Sequence, residues 1–293
     1  MSEKRNYGIR WFERVGTVVS FTWRHPANRG HRLRRTLSAI RFQVLGRLFG
    51  RRAHARVGNR SVIEADAHVY HSARAMYANP VDWNEMHAWK SALGPGSLFV
   101  DVGANVGLYT ILGIEAGAEV IAVEPSRIAR DRLASNLKLN GYSAEVVPAA
   151  LGETDGTLRL TTQLDNQNHL LLSSDFQEVE SEEVPVLTLD GLVGERSVDG
   201  LKVDVEGAEL LVMKGAQRLL AEQRIKLIQL EWNESSMDLL KQDRTPLAEL
   251  LSSHGYALFR ADEQGELVPV SDFGFGADVF ARPSSAASDQ HLN

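Results

Sequence analysis

The strongest constraint on the fold is an alternation of short apolar segments with amphipathic ones from residue 98 onward. Apolar residues 98–102 and 119–123 have the composition of buried strands, and residues 127–140 between later strands have helical spacing. Further strands are predicted at 144–151, 201–205, 226–232, 256–260 and 277–281. This alternation is typical of a mostly parallel sheet with helices on both faces, which binds ligands at the carboxyl ends of its strands.

Length and composition place the chain among soluble globular proteins. It has 293 residues, of which 43% are hydrophobic, 24% are charged and none is cysteine. Disulfides, thiolate metal sites and cysteine nucleophiles are therefore excluded. We find no apolar run long enough to span a bilayer and no signal peptide. We expect a cytoplasmic protein.

Charge divides the chain into three predicted parts. Residues 1–75 carry sixteen Lys and Arg against four acids, a net +12 within a chain of net −6, so the remainder carries −18. We predict a basic, mainly helical N-terminal extension over residues 1–75, an α/β domain over 76–283 and a disordered tail over 284–293.

The extension contains a predicted basic amphipathic helix over residues 33–49. Five apolar residues recur at helical spacing, namely Leu33, Leu37, Ile40, Val44 and Leu48. The first interpretation is that this apolar face packs on the main domain. The alternative is docking on an anionic membrane, peripheral at its inner surface, or on an acidic partner. We expect no nucleic-acid binding, because no binding module is recognisable and the body is acidic.

A glycine loop joins the first predicted strand of the domain to its first helix. It runs from Asp101 through Gly103 and Asn105 to Gly107, and Glu124 follows at the end of the next strand. The dinucleotide pattern G-x-G-x-x-G is absent, and a carboxylate in the loop is unfavourable for a pyrophosphate. The loop instead favours a cofactor with a positive end and no phosphates, such as S-adenosylmethionine (SAM), whose ribose Glu124 would bind.

Carboxylates also follow the next two predicted strands. Asp204 and Glu206 end the strand at 201–205, and Glu231 lies on the neighbouring strand at 226–232. Buried charge is costly unless it is paired or used, so we expect the three to converge at an active-site edge. They are predicted first as a general base and hydroxyl binders, with a divalent metal site as the less favoured alternative.

These motifs together resemble the FkbM-type family of SAM-dependent methyltransferases. The similarity covers about residues 85–235 and rests on the run Phe99–Thr110, on Val123–Pro125, on Asn136–Asn140 and on the block Leu201–Glu209. It implies a Rossmann-like class I sheet of seven mostly parallel strands, with the last strand antiparallel. It also implies that SAM is held by Glu85, Asp101, Gly103, Ala104, Asn105, Gly107, Tyr109, Thr110, Glu124, Pro125, Ala149 and Ala150.

The predicted reaction is methylation of a hydroxyl oxygen, since members of this family mostly methylate hydroxyls. The acceptor would be a sugar, a glycan or glycolipid, or a secondary metabolite. Asp204 or Glu206 is the predicted base, and Glu231 would orient the acceptor. Two alternatives remain at this point: a nicotinamide-dependent oxidoreductase or epimerase, and a non-catalytic binding module on the same fold.

Overall fold

The computed structural model describes residues 15–161, 181–232, 244–270 and 278–284. It divides into two compact units, Met1–Trp83 and Asn84–Asn293. Nearly all of the predicted tail, residues 285–293, lies outside the described residues. Among the described residues, no helix combines the length and the hydropathy that a membrane span requires.

The first unit combines helices with a small β-hairpin. Residues 15–24 are helical, and a short 3₁₀ turn, Pro26–Asn28, follows them. The remaining elements are helix α1 (Arg32–Phe49), strands β1 (Ala53–Val57) and β2 (Ser61–Ala65), and helix α2 (Tyr70–Arg74). Helix α1 ends at Gly50, whose left-handed backbone (φ 61°) suits glycine.

The hairpin was not predicted from the sequence. β1 and β2 are antiparallel and reverse direction around Gly58, which has φ 67°. The side chain of Asn79 fixes this turn, because its Oδ1 accepts from the Gly58 amide at 3.0 Å and its Nδ2 donates to the Gly58 carbonyl at 2.7 Å. Asn79 lies 21 residues away, so a local sequence pattern does not contain this contact.

The residues that α1 buries differ from its predicted apolar face. The buried residues of this helix are Thr36, Ala39, Phe42 and Gly46. Gly46 packs so closely that an added Cβ would lie 2.5 Å from the Cβ of Ala67. Small residues decide the packing here, because they allow the helix to approach the loop that follows the hairpin. Leu33, Leu37 and Leu48 are exposed instead.

The second unit is built on a mixed eight-stranded sheet with strand order β12-β11-β13-β10-β9-β3-β4-β5. Five neighbouring strands are parallel to one another, namely β5, β4, β3, β9 and β10. Strand β13, the last in sequence, is antiparallel to β10. The strands are β3 (Leu98–Val102), β4 (Glu119–Val123), β5 (Glu145–Val147), β9 (Gly200–Val203), β10 (Ile228–Leu230), β11 (Tyr256–Ala261), β12 (Leu267–Pro269) and β13 (Val279–Pro283). The α/β class and the antiparallel last strand are as predicted, and the eighth strand, β12, was missed.

Helices connect these strands, and their ends follow capping residues. Ser126 accepts a hydrogen bond from the Ala129 amide at the start of α5, and Gly141 ends that helix. The helices of this unit are α3 (Trp83–Ala92), α4 (Leu108–Ala116), α5 (Arg127–Asn140), α6 (Leu189–Val193), α7 (Glu209–Lys214), α8 (Gln217–Ala221) and α9 (Thr245–Ser253). α3 begins at Trp83, the last residue of the first unit.

Two predicted elements are each divided in the structure. The strand predicted at 144–151 becomes β5 in the main sheet and β6 (Ala150–Leu151) in a small sheet with β7 (Gly156–Thr161) and β8 (Ser181–Leu187). The helix predicted at 208–222 becomes α7 and α8. It breaks at Gly215, whose carbonyl accepts from the Asp190 amide and whose Cα lies against the Gly152 carbonyl.

Candidate functional site

The loop after β3 lies at the point where the chain order of the sheet reverses, between β4 and β9. The Gly103 and Ala104 amides both donate to the Val123 carbonyl at the end of β4. Gly103 has φ 78°, and a Cβ there would lie 1.9 Å from the Asp204 carbonyl oxygen. The loop therefore passes directly over the end of β9, which only glycine allows.

Glu124 is tied to the same loop. Its Oε2 accepts from the Asn105 amide and its Oε1 from the Ser126 amide, both at 2.8 Å. Burial raises the pKa of Glu124, although these hydrogen bonds and the charge of Arg130 oppose the shift. Asn105 adopts φ 50°, so the backbone turns toward Glu124 at the strand end. A fixed carboxylate in this position can accept from the two hydroxyls of a ribose.

Asp101 is the buried acid of the loop, with 1% of its surface exposed. Its Oδ2 accepts from the Thr110 hydroxyl at 2.6 Å, whereas its Oδ1 is buried and has no hydrogen-bond partner among the described residues. Burial raises the pKa of Asp101, and the positive charge of Lys202 opposes the shift. An unsatisfied buried oxygen is expensive, and a ligand ammonium group would satisfy it.

The other predicted cofactor residues fall into two groups. Gly107 has φ 92°, and an added Cβ there would lie 2.4 Å from Leu133 Cδ1, so glycine allows α4 to begin close to α5. Ala149 follows β5, whose Val147 carbonyl also accepts from the Glu124 amide. Ala150 belongs to β6, and the carbonyl of Pro125 accepts from Arg130. Pro125 and Ala149 thus follow the ends of β4 and β5, near Glu124.

Two further predicted cofactor residues, Glu85 and Tyr109, interact with Asp278 and Lys202. Glu85 is in the first turn of α3, and its charge acts on Asp278, which directly precedes β13. The Tyr109 ring is buried, with the Lys202 ammonium 4.6 Å from its centroid. Tyr109 thus contacts Lys202, and its place beside SAM stays a prediction.

Lys202 is a buried cation in the middle of the sheet. Its Nζ lies 2.7 Å from Asp204 Oδ2, and 3% of the residue is exposed. Burial alone would lower the pKa of Lys202, but the carboxylates of Asp204, Asp101 and Asp278 raise it well above the usual value. Lys202 therefore stays charged and partly neutralises three acids around it.

The three predicted catalytic carboxylates converge. One oxygen of each of Asp204, Glu206 and Glu231 lies within 4.8 Å of those of the other two. Burial and then the charge of Asp204 raise the pKa of Glu206 to about 7, and the same two causes raise the pKa of Glu231. The cluster therefore holds protons near neutral pH, as a group that accepts and releases protons must. Oxygen ligands at this spacing also suit a hard cation, the less favoured alternative above.

Comparison with known proteins identifies the family. The family model described as the methyltransferase FkbM domain matches residues 101–258, more than half of the chain. The chain belongs to the FkbM methyltransferase family. The match spans the glycine loop, Glu124 and the acidic cluster, so it confirms the resemblance seen in the sequence. This FkbM methyltransferase uses SAM, and the family assignment sets aside the nicotinamide oxidoreductase.

Two relatives of this FkbM methyltransferase are also methyltransferases. Methyltransferase sdnD of Sordaria araneosa is 27% identical over 239 residues, which cover 68% of this chain and 90% of that protein. Methyltransferase 1 of Beauveria bassiana is 29% identical over 145 residues, which cover 41% of this chain and 58% of that protein. The similarity to sdnD extends beyond the residues that the family model matches.

Solved structures that align with this chain include two methyltransferases. A TehB-like methyltransferase from Corynebacterium glutamicum aligns with a TM-score of 0.39 at 14% identity, covering 69% of this chain and 87% of that one. The magnesium protoporphyrin IX methyltransferase of Synechocystis, solved with SAM, aligns with a TM-score of 0.38 at 16% identity, covering 67% and 76%.

Several residues of the FkbM methyltransferase site were missed from the sequence. Gln229 is fully buried in β10, accepts from the Trp89 indole, and donates to Asp278 Oδ2 at 2.6 Å. Asp278 precedes the antiparallel strand β13, so it lies at the carboxyl edge of β10. The predicted antiparallel last strand was a usable signal, because the N-terminal end of such a strand meets the ligand edge of the sheet.

Glu209 is structural in this arrangement. Its Oε1 accepts from the Gly207 amide at 3.0 Å, and its Oε2 pairs with the Arg244 guanidinium at 2.7 Å, with both side chains buried. It therefore holds the backbone of the segment that presents Asp204 and Glu206. Glu206 has φ 54°, an uncommon conformation for a residue with a side chain. Glu209, three residues later, braces it by accepting from the amides on either side of it, those of Val205 and Gly207.

We expect Asp278→Asn to stabilise the protein above neutral pH. Burial raises the pKa of Asp278 from 3.8 to about 7. The folded state then binds more protons than the unfolded state between these values, so stability falls as the pH rises through this window. Asparagine removes this penalty and keeps an oxygen for Gln229. The gain in unfolding free energy at about pH 8 should be roughly 1–4 kcal/mol.

Urea unfolding at about pH 8 and about pH 4 measures this effect. The two proteins should differ at the higher pH and converge at the lower one. Asp131→Asn is the control, because the Asp131 side chain is 70% exposed and should show no such difference. A less stable Asp278→Asn protein at pH 8 would mean that Lys202 holds Asp278 as a favourable carboxylate.

Proposed function

We propose that this FkbM methyltransferase transfers the methyl group of SAM to a hydroxyl oxygen of a sugar, glycan, glycolipid or secondary metabolite. The observation that carries the proposal is the contact between the glycine loop and the acidic cluster. Gly103 lies directly against the backbone of Asp204, and Asp204 groups with Glu206 and Glu231. A cofactor held in the loop would thus lie beside groups able to accept a hydroxyl proton.

The residues present fit SAM. Glu124 offers a fixed carboxylate for the ribose hydroxyls, and Asp101 offers a buried oxygen with no partner among the described residues for a cationic group. The loop has no basic residue that would bind a phosphate. Bound there, SAM supplies an electrophilic methyl group with a neutral thioether as leaving group.

The protein residues then have two tasks. Either Asp204 or Glu206 accepts the proton of the acceptor hydroxyl, and Glu231, protonated near neutral pH, donates a hydrogen bond that orients the acceptor. Lys202 stays charged beneath Asp204 and limits the repulsion within the cluster. Alignment of the acceptor oxygen with the methyl group provides the remainder of the rate enhancement.

Ligand binding is the first test of the proposal. In a thermal-shift panel, SAM and S-adenosylhomocysteine should raise the melting temperature, whereas NADH and NADPH should not. Formation of S-adenosylhomocysteine is then measured over a panel of glycans and glycolipids, with EDTA and with added Mg²⁺. Turnover only with a nitrogen or carbon acceptor would overturn the oxygen assignment, and SAM binding without any turnover would favour the non-catalytic module. Loss of turnover in EDTA would assign the cluster to a metal.

We expect turnover to rise as the pH passes about 7. The pKa of Glu206 is raised to about 7, so Glu206 carries a proton below this value and a negative charge above it. That charge either accepts the hydroxyl proton or strengthens Asp204 as the acceptor. The pH profile of kcat should therefore have an inflection near 7 that Glu206→Gln abolishes. An unchanged inflection in Glu206→Gln would assign it to another group.

A further inference from the structure

The outward face of α1 combines exposed apolar side chains with arginines. Among the described residues, nine large apolar side chains are exposed, and five of them lie between residues 23 and 49: Trp23, Leu33, Leu37, Leu48 and Phe49. The four in or at the end of α1 are each more than half exposed. Transfer of such side chains from water to apolar surroundings is favourable, so a surface of this kind favours contact with an apolar phase.

The charge of the same helix is entirely positive. α1 contains five arginines and no acidic residue. Arg34 and Arg41 flank the apolar side chains, because Arg34 follows Leu33 directly and Arg41 lies one turn after Leu37. Among the described residues, neither arginine forms a salt bridge. Internal ion pairing therefore does not account for this charge.

A basic pocket adjoins the apolar side chains. It has a volume of about 210 Å³ and is lined by His31, Arg34, Arg35 and Ser38. Two guanidinium groups beside a hydroxyl and an imidazole form a set of donors suited to a phosphate oxygen. The residues next to the exposed leucines are thus suited to binding an anionic phosphate headgroup.

We propose that this face of α1 binds the surface of an anionic phospholipid bilayer, with the leucines in the acyl boundary and the arginines on the headgroups. The exposed leucines and the positive flank match the two parts of such a surface, which has an apolar interior and an anionic exterior. The occupant is lipid rather than nucleic acid, because an exposed row of leucines gains nothing from a phosphate backbone. This inference is independent of the acceptor proposed above.

Vesicle flotation of the full chain tests the inference. The protein should float with phosphatidylcholine vesicles that contain phosphatidylglycerol and not with phosphatidylcholine alone, and salt should weaken the binding. Arg34→Gln with Arg41→Gln should weaken it roughly thirty-fold. Leu33→Ser with Leu37→Ser should weaken it at least as much, since both apolar contacts are lost.

Matched controls lie on α5 of the second unit. Leu139→Ser removes a leucine that is 40% exposed, and Lys138→Glu reverses an exposed positive charge, and neither should change flotation. Equal flotation of all variants would overturn the proposal. A lower melting temperature of the leucine variant would also overturn it, because the protein itself would then cover this face. A dimer that the leucine variant dissociates would overturn it as well.

Discussion

Asp204→Asn should retain SAM binding and lose most of its turnover. The carboxylate of Asp204 lies 2.7 Å from Lys202 and within 4.8 Å of the Glu206 and Glu231 oxygens. The amide of asparagine cannot accept the proton of a hydroxyl. Loss of the negative charge of Asp204 also makes Glu206 a weaker base, because that charge raises the pKa of Glu206. We expect kcat to fall by about 10²- to 10⁴-fold, the usual contribution of a general base.

Asp199→Asn provides the matched control. Asp199 pairs with Lys226 at 2.6 Å and directly precedes β9, whereas Asp204 directly follows the same strand. Both variants remove the carboxylate of an Asp–Lys pair next to an end of β9, but only Asp204 lies at the edge beside the glycine loop. Asp199→Asn should therefore leave kcat within about two-fold of the unmodified protein, because asparagine can still accept from the Leu98 amide and lies at the opposite end of β9 from the glycine loop.

The two measurements are made separately. Calorimetry with S-adenosylhomocysteine gives cofactor affinity, and formation of S-adenosylhomocysteine with an acceptor found in the panel gives kcat. A normal kcat in Asp204→Asn would remove Asp204 from the reaction. A loss of affinity equal to the loss of turnover would instead assign Asp204 to cofactor binding.

The central strands were predictable because local sequence determines them. β3 and β4 were predicted with their observed ends, since apolar runs bounded by Gly103 and Pro125 leave little freedom. The convergence of Asp204 and Glu231 also followed from the sequence, because parallel neighbours end at one edge. The predicted strands at 201–205 and 226–232 were too long, since the ladder ends where the carboxylates begin.

The missed features depend on contacts between distant residues. Periodicity grouped the leucines of α1 on one face, whereas the buried residues of the helix, including Gly46 close to Ala67, lie on another face. The role of Lys202 was missed, since its burial between Asp101 and Asp204 depends on the pairing of β3 with β9. The buried face of α1 and the burial of Lys202 thus depend on side-chain volume and strand pairing, which the hydrophobic pattern does not contain.

Gly103→Ala should damage both stability and cofactor binding. The added Cβ would lie 1.9 Å from the Asp204 carbonyl oxygen, and φ 78° is strained for alanine. Since the neighbouring atom belongs to the backbone, it cannot move aside as a flexible side chain would. We expect a loss of roughly 2–4 kcal/mol in unfolding free energy and at least ten-fold weaker SAM binding.

Gly141→Ala separates the two causes of this damage. Gly141 also has a positive φ, 66°, but no atom lies within 4 Å of the position of an added Cβ. It should therefore lose only about 1 kcal/mol through backbone strain, with SAM affinity unchanged. Urea unfolding and calorimetry of the two variants would then give the cost of the steric contact as their difference. Equal losses of stability with unchanged affinity in both would mean that the loop can move away from Asp204, and the proposed juxtaposition of cofactor and base would fail with it.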